Sequence, residues 1–150
     1  MKRLLSQIAL VTLSLVLTTH FLKADEAGWT TNYQKALAQA KAEKKLVMLD
    51  FTGSDWCEWC MRLKKEVFSQ AKFKEYAAKN LVLVEVDFPN QKPQSDEIKK
   101  QNAQLQEKFG IEVFPSIIVL NGDGKKVGQL GYMEGGPDAF VAELEKVPKS

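Results

Sequence analysis

The sequence predicts an α/β fold: a central mixed sheet, with a parallel core and an antiparallel C-terminal hairpin, flanked by helices. Three observations point to it. Leu46 to Phe51 and Leu81 to Phe88 are nearly continuous apolar runs of strand length, as expected of strands covered on both faces. Helix-patterned segments separate them, and strands joined through helices pair in parallel. Asn121-Gly122-Asp123-Gly124 then marks a tight hairpin, because such residues tolerate positive φ.

The elements follow in order. Thr30 to Lys45 reads as a surface helix, with Thr31 or Asn32 as N-cap and Tyr33, Leu37 and Ala40 on its inner face. The first apolar strand ends at Phe51, and a loop leads to a helix over Cys57 to Phe68. Ser69 to Lys79 is a second helix or a kinked continuation of it. Pro89 ends the second strand, and the polar stretch Pro89 to Ser95 is too short for a domain linker. Asp96 to Phe109 is a polar helix with Ile98, Leu105 and Phe109 inward, closed by Gly110. Ser116 to Leu120 and Val127 to Tyr132 form the hairpin strands. Gly135-Gly136-Pro137 opens a last helix, Asp138 to Val147.

Residues 1–24 stand apart. Lys2 and Arg3 precede a mostly apolar stretch, Leu4 to Leu17, and Ala24 offers a small-residue exit, the pattern of a secretory signal. Retained, Leu4 to Leu22 is just long enough to serve as a membrane anchor. The expected location is therefore the periplasm or the exterior, or a membrane tether if the signal is kept. Cleavage leaves one domain, residues 25–150, with a sizeable core. It also changes the formal charge from +2 to −1, so nothing points to a nucleic-acid partner. The one histidine, His20, leaves with the signal, which excludes Ser-His and Cys-His nucleophile pairs and histidine metal ligands in the remaining chain.

Cys57-Glu58-Trp59-Cys60 holds the only two cysteines, one helical turn apart. Such a pair can be a dithiol or a short disulfide, and no third cysteine offers another bridge within the chain. A thiolate is the attacking species, and a helix start favours it through unpaired N–H groups and the helix dipole. Cys57 is therefore expected to be the nucleophile and Cys60, one turn on and better shielded, the resolving thiol, with the pair exposed at the rim of the fold. A structural disulfide or half a zinc site are the bland readings. So small a ring restrains the unfolded chain little, and zinc would require ligands from two chains.

Asp50-Phe51 at a strand end, Trp56-Cys57-Glu58-Trp59-Cys60, Gly110-Ile111-Glu112-Val113-Phe114-Pro115-Ser116 and the Asn121-Gly122 hairpin followed by Gly131 together resemble the thioredoxin superfamily, close to secreted bacterial thioredoxin-like proteins. The resemblance covers essentially Leu46 to Val147. It implies a cis Pro115 facing the cysteines, with the Phe114 backbone free to pair with an extended substrate. It also implies that Trp56 lines the site and that Asp50 is a buried proton relay for the resolving cysteine. A desolvated carboxyl has the raised pKa such a base needs, although Asp50 also suits a loop-capping role. Trp59 is placed either on the site or in the core. Lys64, Lys65 and Glu66 read as a solvated helix face.

Two departures stand out: the loop from Asp50 to Cys57 is one residue longer than typical, and Leu81 to Asp87 lacks the lysine many relatives set near the acid. Glu58 beside the thiolate opposes its formation, which favours the disulfide and a comparatively reducing couple. The expectation is an extracytoplasmic thiol–disulfide oxidoreductase, reducing rather than oxidising, with no cofactor beyond the Cys57–Cys60 pair. Its expected partners are cysteine-containing proteins and an upstream thiol–disulfide electron carrier, soluble or membrane-bound, and the chain is expected to be a monomer. A Cu(I)-carrying chaperone and a redox-gated binding module are the alternatives.

Overall fold

A computed structural model describes residues 28–148; the expected signal, residues 1–24, lies outside them. The elements are β1 (Trp29–Thr30), α1 (Tyr33–Glu43), β2 (Leu46–Thr52), α2 (Glu58–Leu63), a π-helical turn (Lys64–Phe68), α3 (Ala71–Asn80), β3 (Leu81–Asp87), α4 (Asp96–Phe109), β4 (Ser116–Leu120), β5 (Lys126–Leu130) and α5 (Gly136–Glu145). The sheet runs β1-β3-β2-β4-β5. β3 pairs in parallel with β1 and β2, whereas β4 is antiparallel to both β2 and β5. The α/β class and mixed sheet are as expected.

Alternation along β2 explains why both faces are apolar. Val47, Leu49 and Phe51 point to a core shared with Tyr33, Ala36 and Ala40 of α1 and Leu105 of α4. Leu46 and Met48 point to the opposite core, under Leu63, Val67, Phe73 and Phe140. Asp50 continues this second row, so its carboxyl enters the layer that α2 and its π-turn cover. On β3, Leu81 and Leu83 belong to the same layer, which places Glu85 and Asp87 there as well.

Several boundaries differ from expectation, each for a local reason. α1 begins at Tyr33, because the Asn32 side chain accepts the Lys35 N–H at 2.9 Å, and it ends where Lys44 turns left-handed (φ 55°). The two-residue strand β1 was not expected; so short a segment has no readable periodicity. The helix read over Cys57 to Phe68 is α-helical only to Leu63, after which one wide turn places the Ser69 N–H on the Lys64 carbonyl at 2.9 Å. The return strand spans Lys126–Leu130 rather than Val127 to Tyr132, following a register irregularity at Val119/Leu120. α4 ends as expected on a left-handed Gly110 (φ 63°), but its most buried polar residue is Asn102, which donates to the Asp87 carbonyl at 2.9 Å.

Candidate active site

The loop after β2 carries the chain across the sheet end to α2, and Cys57 is the N-cap of that helix. Its Sγ accepts the Cys60 N–H at 3.2 Å, while its own N–H donates to the Gly53 carbonyl at 2.8 Å. The sulfurs are joined as a Cys57–Cys60 disulfide, with Cα atoms 5.2 Å apart. The attachment point for a thiolate is thus already built, since the donor that caps the helix points at sulfur. Cys60 is the better shielded of the two, at 4% exposure against 7% for Cys57. Both are more enclosed than a pair exposed at the rim, since the N-cap bond turns Cys57 Sγ in toward the Cys60 amide.

Around the disulfide the surface is aromatic. Trp56 and Trp59 are about half exposed, and Val113 is exposed. The Trp56 indole N–H donates to the Phe88 carbonyl at 2.7 Å, and its ring meets Phe114 edge-on at 5.8 Å. Phe88 stacks on Phe114 at 5.3 Å. Trp56, Phe88 and Phe114 therefore form one continuous platform, ending at the buried Pro115, whose preceding peptide bond is cis. Trp59 stands on the surface and not in the core. Its ring lies 4.9 Å from Tyr132, and the Arg62 guanidinium sits 5.2 Å from both ring centres, a cation–π arrangement. Glu66 completes that group by accepting from Arg62 and from the Tyr132 hydroxyl, each at 2.7 Å.

Two carboxylates lock the longer loop. Asp87 accepts the Ser54 N–H and hydroxyl at 2.9 and 2.6 Å. Asp55 accepts the backbone N–H groups of Asn90, Gln91 and Lys92 at 2.8–3.1 Å, and these bonds hold its carboxyl below the usual range. Trp56 is seated against Gly53, where a Cβ would stand 2.4–2.7 Å from the indole. Gly53→Ala must therefore displace Trp56; we expect a loss of about 1–3 kcal/mol in stability and a changed Trp56 fluorescence. Unaltered emission and melting would show that the seat is not tight.

Asp50 is buried (8% exposed), and its Oδ1 has no hydrogen-bond partner. Burial pushes its carboxyl up to about 8; the Glu85 and Asp87 carboxylates add to the rise and Lys64 opposes it. Glu85 is its register neighbour on β3. A cavity of about 810 Å³ opens beside these groups, lined among others by Asp50, Lys64, Glu85, Trp29 and Phe68. Lys64 is exposed, as expected of a solvated face, and also lines this cavity. The structure brings Cys57, Cys60, Trp56, Phe114 and Pro115 to one end of the sheet and sets Asp50 in the layer beneath α2. Phe88, Asp55, Asp87 and the Tyr132 group were not singled out in the sequence. Among the described residues, no group of three or more His, Cys, Asp or Glu side chains could hold a metal ion.

The family model for a thioredoxin-like domain matches residues 33–148. A "Disulfide bond reductase DsbH" of Chlamydia pneumoniae is 33% identical over 131 residues, covering 87% of this chain and 78% of that protein. A "Thiol:disulfide interchange protein DsbD" of Vibrio cholerae serotype O1 is 43% identical over 94 residues, which span 63% of this chain but 14% of the relative. Among solved structures, one described as "DsbH Oxidoreductase" superposes with a TM-score of 0.76 at 32% identity, covering 87% of this chain and 90% of that one.

Proposed function

Because the chain belongs to the thioredoxin-like domain family and is a thiol–disulfide oxidoreductase, we propose that it works outside the cytoplasm in the reducing direction, passing electrons to protein disulfides. The observation that carries this reading is the Cys57–Cys60 disulfide at a helix start, with an N–H donor on Cys57 Sγ and an aromatic platform beside it.

In the proposed cycle the Cys57 thiolate attacks a substrate disulfide, forming a Cys57–substrate bond and releasing one substrate thiolate. Ionised Asp50 then takes the Cys60 proton, and the Cys60 thiolate attacks Cys57 Sγ. The mixed disulfide breaks, the second substrate sulfur leaves and is protonated by solvent, and the chain ends as the disulfide. Two electrons have moved to the substrate. The backbone at Phe114 and Pro115 supplies an edge on which an extended segment can align.

The direction rests on the thiolate's surroundings. Glu58 lies between the cysteines, and Arg62, one turn on, is paired with Glu66. Beyond the helix-start N–H donor, the Cys57 thiolate is therefore less stabilised than that of a strong oxidant, which favours the disulfide. The name of the Chlamydia relative, a disulfide bond reductase, agrees. Residues 1–24, read as a signal, support the extracytoplasmic location. Among the described residues no helix is long and apolar enough to cross a membrane. Electrons are supplied by another protein dithiol or a small thiol, in keeping with the interchange chemistry named for the Vibrio relative.

Equilibration against a glutathione or dithiol buffer tests the direction. We expect a Cys57–Cys60 potential of about −230 mV or lower. Insulin reduction by the reduced chain should vanish in Cys57→Ser. A potential near −120 mV, the value of a strong oxidant, would overturn the proposed direction.

A further inference from the structure

The cavity beneath the π-turn holds three charged groups from three elements: Asp50 on β2, Glu85 on β3 and Lys64 at the start of the π-turn. Asp50 and Glu85 are cross-strand neighbours in register, and alternation sends both side chains into the layer under α2. Lys64 follows Cys60 by four residues, so both lie on the row of α2 that overlooks this layer. Lys64 and Glu85 are each held by a further interaction, whereas Asp50 Oδ1 is buried and unpartnered. The remaining groups around Asp50 are few. β3 adds Asp87, α3 and the loop after β3 bring Lys74 and Lys92 to the cavity wall, and β4 presents the uncharged Ile117.

We propose that Lys64 and Glu85 are positioning residues of opposite effect, which together set how readily Asp50 exchanges a proton with Cys60, the buried cysteine of the helix that covers this layer. The inference rests on the disulfide-exchange reading above and deepens it. In the resolving step, a Cys60 S–H bond breaks and an Asp50 O–H bond forms. The Cys60–Cys57 S–S bond then forms as the Cys57–substrate bond breaks, and Asp50 returns its proton to solvent through the cavity. The cation at Lys64 favours ionised Asp50, the form that accepts the proton. The carboxylate at Glu85 favours protonated Asp50, the form that waits.

The adjoining strand, Leu81–Asp87, holds no lysine and sets the Glu85 carboxylate beside Asp50. The cation comes instead from the helical side, on the exposed first residue of the π-turn. The carboxylate across the strand pair thus raises the threshold for proton transfer, and the cation from the helical side lowers it again.

The test compares full-length wild type with Lys64→Met, Lys64→Arg and Glu85→Gln. The Asp50 carboxyl midpoint is followed by carbon NMR in the oxidised protein, and the rate of mixed-disulfide resolution is followed against pH. Wild type should titrate at about 8. Lys64→Met should move the midpoint up by about one unit and Glu85→Gln down by about one. Resolution at neutral pH should slow in the first variant and quicken in the second, with the pH profiles displaced by the same amounts. Lys64→Arg should restore wild-type values. Lys64 is exposed and Gln is isosteric with Glu, so both variants retain the fold. Midpoints that stay at the wild-type value, move in the same direction, or move in only one variant overturn the proposal. Failure of the underlying reading shows differently, as a wild-type chain that performs no exchange.

Discussion

Cys60→Ser should trap the protein on its substrate. The Cys57 thiolate still attacks, but the sulfur that would release it is gone, so a covalent Cys57–substrate disulfide accumulates and multiple turnover falls by roughly 10³-fold or more. The factor reflects the loss of an intramolecular thiol held one helical turn away, with its Cα 5.2 Å from that of Cys57. Only external thiols at millimolar concentration remain to resolve the adduct. Non-reducing electrophoresis with mass spectrometry reads the adduct, and thiol treatment should release it. Undiminished turnover in Cys60→Ser would mean that Cys60 has no resolving role.

Asp50→Asn should stabilise the folded chain near neutral pH and remove most of its pH dependence between about 4 and 8. Asp50 rises from an ordinary 3.8 to about 8 on folding. Below pH 4 it is protonated in both folded and unfolded chains and contributes no difference. Between the two values the unfolded chain ionises while the folded one keeps its proton, so the unfolded state binds fewer protons and stability falls as pH rises. Above about 8 the penalty is complete. At pH 7 the wild type should lose about 2–4 kcal/mol relative to the asparagine variant, allowing for the unpartnered amide that replaces an unpartnered oxygen. Urea unfolding across this range measures it. Parallel pH curves for the two proteins would show that Asp50 is not held protonated. The same variant should resolve mixed disulfides slowly, so stability and turnover move in opposite directions.

The site and the sheet were legible to different depths. Leu46 to Phe51 and Leu81 to Phe88 announced themselves because a strand buried on both faces has no polar residue to alternate with, save where one is needed. Asp50 is such an exception in the first run and is buried, while Glu85 and Asp87 are those of the second. Cys57 and Cys60 stood out because the chain has no others. What escaped notice depends on distance or on a broken period. Asp55 grips residues 35–37 positions away, and Asp87 reaches 33 positions back to Ser54, pairings that no local pattern encodes. Lys64 is exposed as expected, and its place at the mouth of the Asp50 cavity depends on β2 and β3, which no helix pattern reveals. One turn widened to i→i+5 changes which side chains overlook the sheet, and composition carries no mark of it. Trp59 could not be assigned until Tyr132 and Arg62, which flank it, had a place in space.

Because the Cys60 amide already points at Cys57 Sγ while that sulfur is bonded, gaining electrons requires little reshaping of the backbone. In the proposed cycle, the electron donor and the client protein then meet almost the same contour on this molecule. What distinguishes their encounters is the negative charge that appears on one sulfur, so choosing between partners becomes a matter of electrostatic polarity more than of fit.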